Sequence, residues 1–319
     1  MSTSKGKKIL ILTGSFGEGH RQAANALQEA ARFEHPNMET EVVDFMQWAY
    51  PNLFPVSHNI FIRGIKTFPK LYGYLYKKTY EPNYFSKKLN QLFLVGLGKM
   101  LTLVLTEKPV VVVSTFPFSS YIFSKLKEFG LTNVPLITVI TDHTHHSYWL
   151  HPCTNQYIVD SESTKDELIR LGIPSGKIAA TGIPIRTDFI QKKNRSALFE
   201  KYQLRADLPT ILIMGGGDGL IGKGFLTHKT LDKIPFPLQM IVLCGHNDKL
   251  QQHLKRELSN SKHSIQLMGY TESVDELMAV SEIIVTKPGG VTTSEALAMQ
   301  LPMLLYKPLP GQEQDNAQY

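Results

Sequence analysis

The chain predicts an α/β protein built from two doubly wound, Rossmann-like domains. Short apolar runs alternate with segments of helical periodicity from end to end, the rhythm of strand–helix–strand units around a parallel sheet. Glycine-rich turns stand between several of these runs and the helices that follow. A polar break interrupts the series once, around Gln191 to Arg195, and the alternation then restarts. At 319 residues and 42% hydrophobic content, the chain is long enough for two separate cores.

In chain order, Ile9 to Leu12 is a short apolar strand. Arg21 to Phe33 then sets Ala23, Leu27, Ala30 and Ala31 on one helical face. Val110 to Val113, Leu136 to Ile140 and Tyr157 to Val159 are continuous apolar runs of the kind that sheets covered on both faces require. Helices are expected at Ser119 to Phe129 and Thr164 to Leu171. In the second half, strands are expected at Ile211 to Met214, Met240 to Cys244, Ile265 to Met268, Ile283 to Val285 and Met303 to Leu305. The first domain is drawn over residues 1–190 and the second over 205–319, joined near 184–207. There is no internal repeat and no low-complexity tract.

The formal net charge is +6, which matters mainly where the charge is clustered. Cys153 and Cys244 stand far apart in no ligand-like spacing, a pattern suited to a reducing compartment. The basic N-terminus MSTSKGKK leads into ILIL, too short for a signal core, and no apolar run reaches spanning length. Any membrane contact is therefore expected to be peripheral.

Residues 286–316 carry the densest chemistry. A strand meets the turn Lys287-Pro288-Gly289-Gly290, and a helix is expected to open at Thr292 or Thr293. Glycines let backbone N–H groups approach a ligand closely, and a helix N-terminus adds positive potential. Glu295, one turn further on, can accept hydrogen bonds from a ribose diol. After a second strand, Gln312, Glu313 and Asn316 share one face of a new helix and offer polar atoms for sugar hydroxyls. Phosphate cradle, ribose carboxylate and sugar clamp together describe a nucleotide-sugar site.

Near the N-terminus, GSFGEGH at 14–20 places Gly14, Gly17 and Gly19 in a strand-to-helix turn with His20 at the helix mouth. The spacing G-x-x-G-x-G is not the dinucleotide fingerprint. An imidazole there can take a proton from an alcohol, or it can be an ordinary helix-start residue. Residues 141–151 hold Asp142, His143, His145, His146 and His151 in one loop, a set that could ligate a metal but lacks a helical ligand spacing. The glycine loop 214–224 has the G-x-x-x-x-G-K of a Walker loop, but Gly224 stands where Ser or Thr must bind magnesium, so an NTPase is not expected.

Residues 60–90 break the α/β rhythm. Arg63, Lys66, Lys70, Lys77, Lys78, Lys87 and Lys88 face one acid, Glu81, with Phe61, Phe68, Tyr72, Tyr74, Tyr76, Tyr80, Tyr84 and Phe85 interleaved. Basic residues among interfacial aromatics suit an anionic bilayer surface. A solvated face over core aromatics, or a single-stranded nucleic-acid platform, would use the same composition.

Four of these motifs, GSFGEGH (14–20), TDHTHHSYWLHP (141–152), TGIPIRTDF (181–189) and the 286–316 stretch, resemble glycosyltransferase family 28 in the expected order. Within it they are most similar to the bacterial processive diacylglycerol glucosyltransferases, with the plant monogalactosyldiacylglycerol synthases further off. The resemblance covers nearly the whole chain. It implies the two-domain glycosyltransferase B architecture with its active site in the cleft, a donor domain at 205–319 and an acceptor domain at 1–190 with a basic aromatic insert at 54–93. It implies inverting transfer of glucose from UDP-glucose to diacylglycerol or its glucosylated product, with no cofactor and no essential metal. His20 is then the first choice for the base, with Asp142 orienting it or acting as base itself.

On the same resemblance, the donor site comprises Gly216, Gly217, Lys287, Gly289, Gly290, Thr292, Glu295, Gln312, Glu313 and Asn316. The acceptor side comprises Gly17, Gly19, Lys66, Lys70, Lys77 and Lys78, with Trp149 over the lipid headgroup. The expected partners are a UDP-sugar, diacylglycerol and an anionic membrane at its cytoplasmic face, without nucleic acid. Three other readings stay open: a lipid-linked N-acetylglucosamine transferase of peptidoglycan synthesis, a non-catalytic UDP-sugar sensor, and a metal-dependent hydrolase. The KPGG turn and the basic insert weigh against the first. Because the last helix starts near Gln312 and the sequence stops at Tyr319 without a C-cap signal, the donor domain is expected to be incomplete and the chain impaired.

Overall fold

A computed structural model describes residues 7–15, 17–52, 64, 67–216, 226–227, 231 and 233–319. The chain divides into two compact units, Met1–Arg186 with Leu309–Tyr319, and Thr187–Pro308. The division differs from the one drawn on the sequence: the last eleven residues fold with the first unit.

The first unit is a parallel sheet of β1 (Lys8–Thr13), β2 (Glu39–Asp44), β3 (Val111–Ser114), β4 (Leu136–Val139), β5 (Gln156–Val159) and β6 (Ile178–Ala180). The strand order is β2-β1-β3-β4-β5-β6. Its helices include α1 (Glu18–Glu34), α2 (Phe45–Ala49), α3 (Pro69–Lys78), α4 (Tyr84–Gln91), α5 (Leu97–Glu107), α6 (Pro117–Glu128) and α7 (Glu162–Arg170). One core joins Leu10, Leu12, Phe45, Met100, Val112, Phe123 and Leu136. A second is built around Ile140, Trp149, Tyr157, Val159 and Leu168 of α7. The helix α1 buries Ala23, Ala24 and Ala26, while Ala30 faces solvent, so its inward face is rotated from the expected one.

Two strands of this sheet lack a clear sequence signal. β2 is an edge strand of mixed burial, reading ETEVVD. Its Glu39 and Glu41 carboxylates, with Glu107, converge on the Lys8 ammonium at 2.7–3.0 Å, so this edge strand carries charge where a buried strand would be apolar. β6 has only three residues.

The second unit holds β7 (Thr210–Met214), β8 (Gln239–Leu243), β9 (Ser264–Met268), β10 (Ile283–Thr286) and β11 (Met303–Leu305) in the order β11-β10-β7-β8-β9, all parallel. Its helices include α8 (Arg195–Lys201), α9 (Asp248–Glu257), α10 (Val274–Ala279) and α11 (Gly290–Ala298). Every residue of β8 is buried, as a strand covered on both faces requires. Ile213, Met240, Val242, Leu250, Leu254 and Val285 form the core. The final helix, α12 (Gln312–Gln318), belongs to the first unit.

In each sheet the strand order reverses once, between β1 and β3 in the first and between β7 and β10 in the second. Such switch points open a crevice at the carboxyl ends of the strands, where doubly wound sheets bind ligands.

Candidate active site

The switch point of the first unit is occupied by His20. The turn after β1 is narrow because Gly14 lies against the Phe116 ring, where an added Cβ would stand 2.6 Å from it. Ser15 donates to the Asp44 carboxylate at the end of β2, and α1 opens at Glu18. Gly17 is the residue before α1 and Gly19 lies in its first turn.

Two threonines hold His20. Thr115, immediately after β3, donates its hydroxyl to the His20 carbonyl oxygen at 2.9 Å. Thr141, two residues after β4, meets His20 Nδ1 through its hydroxyl at 2.8 Å. Nε2 has no side-chain hydrogen-bond partner among the described residues. The ring packs edge-on against Phe116 and Trp149, at centroid distances of 5.3 and 5.9 Å. Burial lowers the His20 pKa from 6.5, while the Asp142 carboxylate, the Thr115 backbone and the Asp44 carboxylate push back. The result is an imidazole kept neutral at ordinary pH, with one nitrogen held and the other open, as a general base requires.

Asp142 is buried nearby, but its hydrogen bonding runs elsewhere. Its Oδ1 accepts from Asn316 Nδ2 at 3.1 Å, and Asn316 Oδ1 accepts from the His143 N–H at 2.7 Å. The orienting bond expected of Asp142 is made instead by Thr141, a residue whose type gave no signal in the sequence. Asp142 and Asp44 act on the imidazole through space, as charges, and Asp44 too lies in no motif.

Trp149 requires a correction. It ends the short turn Ser147–Trp149 and is fully buried, within the Ile140–Tyr157–Val159 core. It has no free face for a lipid headgroup and acts as a wall for the His20 ring.

The histidines of the 141–151 loop meet separate partners. His143 Nδ1 pairs with the buried Asp160 carboxylate at 2.8 Å. His146 Nε2 donates to the Tyr76 carbonyl at 3.0 Å and its Nδ1 accepts from the Tyr148 N–H at 3.1 Å. His151 Nε2 donates to the Pro117 carbonyl at 3.1 Å. The rings point to different partners, and among the described residues no group of three or more His, Cys, Asp or Glu is placed to hold a metal ion.

Burial lowers the pKa of both His146 and His151 from 6.5 to about 4. A histidine whose folded pKa lies below its unfolded value contributes stability that is complete above the unfolded pKa and is lost as pH falls toward the folded one. Melting temperature is therefore expected to fall between pH 6.5 and pH 4, at a cost on the order of 3 kcal/mol per histidine. Calorimetric scans across this window check it; a flat profile would contradict the neutral, buried assignment.

The helix α12 places Gln312, Glu313 and Asn316 in the first unit, whereas Lys287 and Glu295 belong to the second. Tyr72 donates to Gln312 Oε1 at 2.6 Å, and Tyr76 donates to Asp315 Oδ2 at 2.7 Å, which also accepts from Thr144 at 3.0 Å. Glu313 accepts from the Leu309 N–H at 2.6 Å. Gly73 makes the packing possible, since a Cβ there would stand 2.5 Å from Pro310. Sequence groups these residues with the donor motif; their partners lie far away in the chain and carry no local signal.

Those tyrosines divide the basic aromatic stretch into two faces. Tyr72 and Tyr76, four apart on α3, turn inward. Lys70, Leu71, Tyr74, Leu75, Lys77 and Lys78 are exposed, with Phe68 beside them. The Lys78 ammonium lies 4.6 Å from the Phe85 ring centroid. Lys66 and the stretch 53–63 lie outside the described residues. No helix among the described residues is long and apolar enough to cross a membrane.

In the second unit, the residues at the β7/β10 switch are Gly216 on one side and the Lys287–Gly290 turn on the other, with Met214 level with Thr286 in the sheet. Gly216 has φ +75°, a conformation that favours glycine, and nothing lies within 4 Å of where a Cβ would be. Gly217 lies outside the described residues. The helix α11 starts at Gly290, with Gly289 as its cap, earlier than the threonines suggest. Thr293 donates back to the Gly289 and Gly290 carbonyls at 3.0 and 2.9 Å, Thr292 is half-buried in the first turn, and buried Glu295 falls in the second turn. The Lys287 ammonium donates to the Lys307 carbonyl beyond β11. Glycine amides at a helix N-terminus can hold phosphate oxygens, and a buried carboxylate one turn below can hold a diol.

Two parallel-sheet units of this kind, with a held imidazole in one and a glycine turn opening a helix in the other, define the glycosyltransferase B architecture. The fold is shared with MurG from Acinetobacter baumannii (TM-score 0.57, 15% identity, 98% of this chain and 83% of that one). It is shared also with a UDP-GlcNAc 2-epimerase from Neisseria meningitidis (TM-score 0.56, 16% identity, 98% and 90%). The monogalactosyldiacylglycerol (MGDG) synthase family matches residues 20–185, and the glycosyltransferase family 28 C-terminal domain matches 210–319. Processive diacylglycerol beta-glucosyltransferases from Bacillus mycoides and Bacillus cytotoxicus are each 34% identical over 99% of this chain and 80% of their own length. The chain belongs to glycosyltransferase family 28, in its diacylglycerol glycosyltransferase branch.

Proposed function

We propose that this enzyme transfers glucose from UDP-glucose to diacylglycerol, and onward to the glucosylated product, at the cytoplasmic face of a membrane it binds peripherally. The observation that carries the reading is His20, held at Nδ1 by Thr141 with Nε2 open. The acceptor hydroxyl oxygen attacks the anomeric carbon as the bond from that carbon to the diphosphate oxygen breaks. The electron pair leaves with UDP, the hydroxyl proton passes to His20 Nε2 and then to solvent, and attack opposite the leaving group gives a β-glycoside. Helix α11 and the glycine turns stabilise the departing diphosphate. No metal or cofactor is required in this scheme. The exposed basic and aromatic face of α3 supports contact with an anionic bilayer.

Glu295 is assigned to the ribose hydroxyls. Glu295→Ala is then expected to weaken UDP binding by roughly 1–3 kcal/mol, the range for a lost charged hydrogen bond. Unchanged UDP affinity by calorimetry would refute the assignment. The donor itself is tested by offering labelled UDP-glucose, UDP-galactose and UDP-N-acetylglucosamine separately with diacylglycerol vesicles. Lipid-linked label is expected from UDP-glucose above the others. Label from UDP-N-acetylglucosamine alone would overturn the proposal.

A further inference from the structure

We infer that Thr141 is a positioning residue that holds His20 in the one tautomer able to act as a base, by accepting the Nδ1–H at its hydroxyl oxygen. This rests on His20 being the base and adds what makes it one.

The geometry leaves one usable nitrogen. Nδ1 is tied to Thr141 at 2.8 Å, and Thr115 anchors the backbone of the same residue at 2.9 Å, so neither the ring nor its helix turn can swing to present Nδ1 to a substrate. Phe116 and Trp149 close two sides of the ring. A hydroxyl can donate or accept, and the reaction selects between the two. If Thr141 donated to Nδ1, the proton would sit on Nε2 and the open nitrogen could accept nothing. If Thr141 accepts, Nε2 carries the lone pair, and once it has taken the substrate proton the imidazolium still has an acceptor for its Nδ1–H. Only the accepting arrangement serves both ends of the step without moving an atom. Many histidine bases use a carboxylate here. In this chain the nearby carboxylate, Asp142, is hydrogen-bonded to Asn316, and it and Asp44 face His20 only as charges.

The test pairs two variants with a direct reading of the ring. Thr141→Ser keeps the hydroxyl and Thr141→Val keeps the shape. For Ser, kcat is expected within a few-fold of the parent. For Val, a fall of about tenfold or more is expected, with unchanged KM for UDP-glucose and an unchanged melt. Nitrogen-15 spectra of the histidine rings at pH 8, with His20 assigned by its loss in His20→Gln, should show the proton on Nδ1 in the parent and a mixture of tautomers in Val. A parent spectrum with the proton on Nε2 overturns the inference, and needs no variant to fold. So does a Val variant with parental kcat and an unaltered spectrum. Normal turnover in His20→Ala would instead sink the base assignment, while the spectrum would still report whether Thr141 sets the tautomer.

Discussion

His20→Ala is expected to abolish lipid glucosylation while leaving UDP affinity within a few-fold of the parent. A general base in such a step contributes roughly 10²- to 10⁴-fold in rate, and His20 is the imidazole at the first sheet's switch point with an open nitrogen. The substitution removes a half-buried ring packed on Phe116 and Trp149, so a melting curve must accompany the kinetics. UDP binding should survive because the residues assigned to phosphate and ribose, Gly216, Gly289, Gly290 and Glu295, lie in the other unit. The pH profile adds a second reading. The base must be neutral to work, and burial lowers its pKa from 6.5, so kcat/KM should hold below pH 6.5 before it falls on the acid side. Near-normal turnover in the alanine variant would remove His20 from the role and promote Asp142.

Neutralising Lys70, Lys77 and Lys78 together is expected to release the protein from anionic vesicles. Each basic side chain near such a surface contributes about 1 kcal/mol, so three amount to roughly a hundredfold or more in partitioning. The three are exposed on α3 beside Leu71, Tyr74 and Leu75, an arrangement that lets rings enter the interface while ammonium groups meet lipid phosphates. Turnover on a detergent-dispersed acceptor should persist, because the inward face of α3 bonds to α12 through Tyr72 and Tyr76 and none of the lysines takes part. Sedimentation with vesicles that ignores both the substitutions and added salt would leave this face as ordinary solvated surface.

What is legible in the sequence follows the physics of each element. β1, β3, β4, β5, β7, β8 and β10 announce themselves because burial in the sheet demands apolar runs, whereas the edge strands β9 and β11 are legible from their apolar residues although none of those residues is fully buried. β2 does not, because its glutamates answer Lys8 across the sheet edge. The motif positions of His20, Gly216 and the Lys287–Gly290 turn are readable because glycine and helix-start chemistry are local. The start of α11 is misplaced because Thr292 and Thr293 look like caps, whereas Gly289 takes that position and the Thr293 hydroxyl bonds backward inside the first turn. Trp149 looks like a surface aromatic in a polar loop, and only the packing of Ile140, Tyr157 and Leu168 shows it to be core. Thr141 and Asp44 carry no signal of their own. Their importance comes from strands β2 and β4 ending close to α1, a consequence of topology that periodicity does not reveal. The same holds for α12, whose partners Tyr72, Tyr76, Asp142 and His143 lie more than 170 residues earlier.

The most direct test of inverting transfer to a lipid is the structure of the product. The protein is incubated with carbon-13-labelled UDP-glucose and diacylglycerol vesicles, the lipid fraction is extracted, and the anomeric coupling is read by NMR. The expected product is β-linked glucosyl diacylglycerol, with longer β-linked chains as the first product accumulates. An α-linked product, or label recovered only as free glucose, would contradict it.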